Sequence, residues 1–282
     1  MPIYRPSELR QFLLDNGLSP KKILSQNFLI DGNILNKIIA TAEVTPGDVV
    51  LEIGPGPGAL TELLLNEQAH VIAVEKDRQL CDLLPRLMNL PGSLSLYNQD
   101  IMTFPIKEKI EEAIKKGKKA KVIANLPYHL TTPILEKLLP LNHLFSKIIV
   151  MVQDEVAHRL TSSPSCKEYG SFTVYVKYYS DPTYAFQVKR NCFHPAPKVH
   201  SAIVAMDLKS PPSDIVEDKF FEMTRTAFQM RRKMLRKSLS KLFPLEEVSA
   251  CLESIGINPQ CRPEDLSIDQ FLDLYRQLYP SV

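Results

Sequence analysis

The chain has 282 residues, 44% of them apolar and 23% charged, with a formal net charge of +2 at pH 7. This length fits one large domain with a smaller companion, and the composition excludes a disordered, collagenous or low-complexity chain. No apolar run approaches the ~20 residues that cross a bilayer, and the opening MPIYRPSELR lacks the apolar core of a secretory leader, so the expected location is the cytoplasm, with no membrane partner.

In chain order, short β-rich apolar runs alternate with helical stretches. VVLEI (49–53) reads as a strand, TELLLNEQ (61–68) as a helix, VIAVE (71–75) as a strand and DRQLCDLLPRLMN (77–89) as a helix. LSLYN (94–98), KVIAN (121–125) and KIIVMV (147–152) continue the strands, with helices KEKIEEAIKK (107–116) and TPILEKLLP (132–140) between them. Such alternation predicts five buried parallel strands joined by helical crossovers. Two further runs, FTVYVKYYS (172–180) and HSAIVAMDL (200–208), lack a clear helix between them and predict an antiparallel pair at one edge, giving seven strands. Paired prolines in KSPPSD (209–214) favour an extended connector, so the expected domains are 1–208 and 209–282. Beyond it the sequence predicts only helices: one long stretch through FFEMTRTAFQMRRKMLRKSLSKLF, then EEVSACLESIG and IDQFLDLYRQLY. The fold class is α/β, a Rossmann-like seven-stranded sheet with helices on both faces, plus a small all-α C-terminal domain.

The strand 49–53 runs into Gly54-Pro55-Gly56-Pro57-Gly58-Ala59 and then a helix. Glycines there let backbone amides approach a ligand at the carboxyl end of a strand, where open α/β sheets bind small molecules. Glu75 ends the next strand, where an acid meets a ribose diol. Together these indicate a nucleoside-containing cofactor without saying which, since Gly54-x-Gly56-x-x-Ala59 also meets the dinucleotide pattern and a plain tight turn needs some of the same residues.

The discriminating block is Asn125-Leu126-Pro127-Tyr128, at the end of the fourth strand. An exocyclic adenine amine is a poor nucleophile because its lone pair is delocalised into the ring. The Asn125 side-chain oxygen and the Leu126 carbonyl are candidate acceptors that would draw the nitrogen towards a pyramidal, attacking geometry. Pro127 would fix the backbone, and Tyr128 would stack on the base. A turn that merely ends a strand is the competing reading.

The five cysteines, Cys81, Cys166, Cys192, Cys251 and Cys261, form no Cys-x-x-Cys pair and read as reduced structural thiols. The six histidines show no metal-ligand spacing, so no metal is expected. A net charge of +2 is too small to identify a nucleic-acid binder. The stretch 107–119 mixes Lys with Glu as a solvated helix face does, whereas RRKMLRK (231–237) has five cations in seven residues and reads either as a surface helix or as a phosphate contact.

Seven blocks, in order, resemble the ribosomal RNA adenine dimethyltransferases over nearly the whole chain. They are Ser25-Gln26-Asn27-Phe28-Leu29, Leu51 to Gly58, Val74-Glu75-Lys76-Asp77, Asn98-Gln99-Asp100, Asn125 to Tyr128, Val152 to Arg159 and Phe193 to Ser201. The resemblance implies a class I methyltransferase sheet and S-adenosyl-L-methionine as cofactor. Asn27, Leu29 and Gly54 would line its methionine side, Glu75 would take the ribose hydroxyls and Asp100 would read its adenine amine. Asn125 would stand between the methyl donor and the target base, with Phe193 covering the base opposite Tyr128. Taken alone, Asp100 reads also as a helix N-cap and Phe193 as a core residue.

The implied activity is N6,N6-dimethylation of two adjacent adenines in the 3′-terminal hairpin of small-subunit ribosomal RNA. The implied partner is that RNA within the small subunit or its precursor, and the implied state is a monomer. Large-subunit methylation of the macrolide-resistance type is the alternative within the class, disfavoured by the Phe-x-Pro-x-Pro block at 193–197 and by the substantial helical tail. A nicotinamide dehydrogenase leaves Asn125 to Tyr128 unexplained, and a non-catalytic assembly factor leaves them without a use.

Overall fold

In the computed structural model, which describes residues 3–21, 24, 26–230 and 232–280, the chain divides into two units. One is Met1–Ala157 with Thr183–Leu208, the other His158–Pro182 with Lys209–Val282. Ser25 of the block 25–29 and Arg231 of the basic run lie outside the described residues.

The chain opens with helix α1 (Pro6–Asp15), the short strand β1 (Phe28–Leu29) and helix α2 (Gly32–Ala42). Alternation then runs β2 (Val49–Ile53), α3 (Ala59–Asn66), β3 (His70–Val74), α4 (Arg78–Cys81), β4 (Ser93–Tyr97), α5 (Ile106–Ala113), β5 (Ala120–Asn125), α6 (Thr131–Leu138) and β6 (Phe145–Gln153). After these come α7 (Asp154–Thr161), α8 (Ser171–Tyr179), β7 (Ser180–Val188), β8 (Phe193–His194) and β9 (Ser201–Leu208).

The seven-stranded sheet has the order β4-β3-β2-β5-β6-β9-β7. Strands β2 to β6 are parallel and β9 runs antiparallel to β6. All five residues of β2 are buried, as befits a central parallel strand covered on both faces. From β2 the chain builds outwards through β3 to β4, then returns to lay β5 on the other side of β2. That reversal leaves a crevice beyond the carboxyl ends of β2 and β5, the usual ligand position in open α/β sheets. The Rossmann-like α/β class and the seven-stranded sheet agree with the sequence reading, but one strand of the sheet is a different segment, and β1 and β8 form a separate two-stranded pair.

The run 172–180, expected to be a strand, is helix α8. Its β-branched and aromatic residues suit a pleated surface, yet the aromatics recur at helical spacing. The Phe172 and Tyr175 rings lie 5.8 Å apart and those of Tyr175 and Tyr179 5.2 Å apart, the i,i+3 and i,i+4 contacts of one helix face. The missing edge strand is β7, whose SDPTYAFQV alternates between covered and exposed positions; Pro182 is compatible with an edge, where one ladder donor is dispensable. The domain division changes accordingly, because 158–182, expected in the first domain, belongs to the second unit.

In that second unit α8 is followed by α9 (Glu217–Phe228), α10 (Leu235–Ser238), α11 (Leu245–Ser254) and α12 (Ile268–Leu278). An aromatic core joins them, with the Tyr178 ring 5.2 Å from that of Phe220 and the latter 5.8 Å from Tyr275. The expected long helix through 220–243 breaks between α9 and α10. Arg232 and Arg236, like Lys233 and Lys237, would stand four apart on a continuous helix, where like charges repel. The expected helix 77–89 likewise shortens to α4 and a 3₁₀ turn, Leu84–Leu87, carrying Pro85 in its first turn. The five cysteines are unpaired, and among the described residues no helix is long and apolar enough to cross a membrane.

Candidate active site

Three glycines make the turn from β2 into α3, all with positive φ: Gly54 at 67°, Gly56 at 57° and Gly58 at 92°. Two of them also have crowded neighbours. A Cβ on Gly58 would come within 2.7 Å of Leu84 and 2.9 Å of Leu87, and one on Gly56 within 3.3 Å of the Phe28 ring. The loop is therefore set by close approach as well as by backbone conformation. Arg86 donates to the Pro57 carbonyl, and its guanidinium lies 4.7 Å from the centre of the Phe12 ring.

Glu75 follows β3 and is 6% exposed. Its two oxygens accept backbone N–H groups, Oε2 from Gly56 at 2.9 Å and Oε1 from Asp77 at 2.7 Å. Burial pushes its carboxyl above the ordinary value, against the pull of those two N–H groups. Asp100 follows β4, where its Oδ2 accepts from Lys76 Nζ at 2.8 Å and its Oδ1 from the Met102 N–H at 2.9 Å. The Lys76 hydrogen bond, followed by the Met102 N–H, holds its carboxyl below the usual range.

Asn125 ends β5. Its Nδ2 donates to the Asn27 carbonyl at 3.2 Å, which turns Oδ1 the other way, as a free acceptor should be presented. The Leu126 N–H donates to the Met151 carbonyl at 3.2 Å. Pro127, at φ −57°, fixes the backbone between them and Tyr128. The half-buried Tyr128 is anchored by a hydrogen bond of 2.9 Å between its hydroxyl and Ser201 Oγ.

Nine expected residues, Asn27, Leu29, Gly54, Glu75, Asp100, Asn125, Leu126, Pro127 and Tyr128, line one cavity of about 200 Å³. Phe193 does not. It lies in β8, paired antiparallel with Leu29 of β1, and at 3% exposure its ring belongs to the apolar core. The structure places Phe193, the expected platform opposite Tyr128, in the apolar core beside Leu29 and not among the residues that line the cavity.

The sequence reading passed over Glu52, a cavity-lining carboxyl 2% exposed whose Oε2 has no partner among the described residues. Burial, opposed by the neighbouring Thr61 hydroxyl and reinforced by the Glu75 charge, pushes it up to about 8. A charged residue inside the otherwise apolar run VVLEI was the available signal. Gln26 and Phe28, which also line the cavity, carried no separate signal.

With Glu52, Glu75 and Asp100 on its wall, the cavity suits a ligand that bears positive charge and hydroxyl or amine donors. The side-chain oxygen of Asn125 and the carbonyl of Leu126 are acceptors that can hold an amine without taking its proton.

This is the layout of a Rossmann-like class I methyltransferase. The family described as ribosomal RNA adenine dimethylase matches residues 17–279. The chain is 54% identical over 281 residues to a ribosomal RNA small subunit methyltransferase A of Protochlamydia amoebophila, a match covering 100% of this chain and 99% of that one. Among solved structures, a dimethyladenosine transferase from Plasmodium falciparum aligns with a TM-score of 0.75 and 26% identity over 88% of this chain and 95% of its own. The 23S rRNA methyltransferase ErmE aligns with a TM-score of 0.70 and 26% identity over 89% and 99%. The chain belongs to the ribosomal RNA adenine dimethylase family and is a methyltransferase.

Proposed function

We propose that this enzyme transfers methyl groups from S-adenosyl-L-methionine to the N6 amines of two adjacent adenines in the 3′-terminal hairpin of small-subunit ribosomal RNA. It acts in the cytoplasm as a monomer, on the small subunit or its precursor. The observation that supports this reading is the Asn125 amide, tied through Nδ2 to the Asn27 carbonyl on a cavity wall that Leu126, Pro127 and Tyr128 also line.

The cofactor supplies an already activated methyl group, so positioning accounts for much of what the protein contributes. Glu75 would accept the ribose hydroxyls through the lone pairs left over from its two backbone partners. Asp100 would accept an adenine amine in the same manner, and the unpartnered Glu52 oxygen offers a further acceptor at the cavity wall. Asn125 Oδ1 and the Leu126 carbonyl would hold the target amine by its hydrogens and favour a pyramidal nitrogen, while Tyr128 stacks on the base. After a first transfer one N–H remains, so the same acceptors still hold the nitrogen for a second. The basic run 232–237 of the helical unit would contribute phosphate contacts.

Structural likeness alone does not choose the RNA, since ErmE aligns nearly as well as the dimethyladenosine transferase. The 54% identity to a small-subunit enzyme over the whole chain favours the small subunit. The test is incubation with labelled S-adenosyl-L-methionine and undermethylated small or large subunits, followed by nucleoside analysis. N6,N6-dimethyladenosine in small-subunit RNA supports the proposal. Label confined to large-subunit RNA, or absent from both, overturns it.

A further inference from the structure

Asp77 lies just past Glu75, and its carboxylate holds a segment distant in the chain. Oδ1 accepts from Lys21 Nζ at 2.8 Å, and Oδ2 accepts from Gln26 Nε2 at 2.9 Å. Gln26 is fixed in turn, because its Oε1 accepts the Lys21 backbone N–H at 2.7 Å. Asp77 is only 5% exposed. Burial would raise its carboxyl, but hydrogen bonds from Lys21 and Gln26 and the Lys21 charge outweigh that and hold it below the usual range.

The network continues inward. The Asp77 N–H donates to Glu75 Oε1 at 2.7 Å, and Glu75 Oε2 accepts the Gly56 N–H at 2.9 Å. One chain of hydrogen bonds therefore links Gln26 to the glycine loop. The three residues after Gln26 build the cavity wall: the Asn27 carbonyl orients Asn125, the Phe28 ring lies against Gly56, and Leu29 follows. Asp77 itself is not among the residues lining the cavity.

We propose that Asp77 is a positioning residue for this reaction, holding Gln26 and Lys21 so that Asn27, Phe28 and Leu29 stand against the glycine loop before the methyl donor arrives. The proposal rests on reading the cavity as the donor site. A wall set in advance spares the binding step the cost of ordering it, and hydrogen bonds to a buried charged group are the strong kind.

The test is Asp77→Asn. The asparagine Oδ1 keeps the bond to the Gln79 N–H that caps α4, now 3.1 Å, but Nδ2 is a donor and cannot accept from Gln26. The Kd and KM for S-adenosyl-L-methionine should rise about tenfold, the low end for a lost hydrogen bond to a charged group. The kcat at saturating donor should stay within about twofold, because bound donor restores the wall. Adding Gln26→Glu exchanges donor and acceptor between the two positions, so the double variant should recover most of the lost affinity. A role confined to general stability would lower the melting temperature and leave the Kd for S-adenosyl-L-methionine unchanged. Hydrogen exchange at the amides of 27–29, measured without any ligand, should quicken in Asp77→Asn and slow again in the double variant. Wild-type affinity in Asp77→Asn, loss in kcat rather than KM, or no recovery in the double variant overturns the proposal. If the wild-type protein does not bind S-adenosyl-L-methionine, the donor-site reading fails, and amide exchange then decides the positioning claim by itself.

Discussion

Removal of the Glu75 side chain separates what the acid does for the loop from what it does for the donor. In Glu75→Ala the Gly56 and Asp77 N–H groups lose acceptors at 2.9 Å and 2.7 Å. Each such bond to a charged group is worth about 1.5–3 kcal/mol, but burial already disfavours the ionised carboxyl, and removing it relieves that cost. The two effects oppose each other, so the free protein should lose only about 1–2 kcal/mol of stability. Donor affinity has no such offset. Loss of the ribose contact should cost about 1.5–3 kcal/mol, which is roughly a tenfold to hundredfold rise in Kd. Calorimetric titration with S-adenosyl-L-methionine, alongside a thermal melt of each protein, reads both quantities. A folded Glu75→Ala protein whose Kd stays within about twofold of wild type would refute the assignment of Glu75 to the donor.

Two further predictions concern the same wall. Glu52 is pushed from 4.5 up to about 8 by burial. A raised folded-state value means that its contribution to stability is complete below about 4.5 and lost as pH rises through about 8. The melting temperature of the free protein should fall across that window, and Glu52→Gln, neutral and of the same shape, should flatten the fall; equal slopes in the two proteins contradict this. Gly58→Ala must place a Cβ at φ 92° and 2.7 Å from Leu84, so it should cost about 1–3 kcal/mol, visible as a lower melting temperature. An unchanged melt would show that the α3 entry relaxes freely.

The parts of the fold legible in the sequence are those whose signal is local. The five parallel strands are short apolar runs between helical stretches, and the glycine loop, Glu75 and Asn125 each sit where a strand ends, so their convergence follows once the sheet is assumed. The run 172–180 misled because Val174, Tyr175 and Val176 favour strands by composition, while its decisive property, aromatics three and four apart, is only weakly displayed in nine residues. The alternation of β7 was masked by Pro182. Helix α2 has Leu35, Ile38 and Ala42 buried at helical spacing, a signal that was present and passed over.

The limits at the site have a different cause. Phe193 was recognisable as an aromatic beside a proline-bearing loop, but its burial beside Leu29 comes from a contact between distant segments. The hold of Asp77 on Lys21 and Gln26 is likewise non-local, spanning 56 and 51 positions, and the blocks that contain Gln26 and Asp77 do not tell that the two side chains meet.

The central claim is that the Asn125 and Leu126 oxygens make an adenine amine reactive by holding its hydrogens. Single-turnover methyl transfer by Asn125→Ala to undermethylated small subunits, with donor affinity measured on the same preparation, tests it most directly. The account requires transfer to be lost while the donor Kd stays within a few-fold of wild type. Dimethyladenosine formed by that variant at the wild-type rate would contradict it.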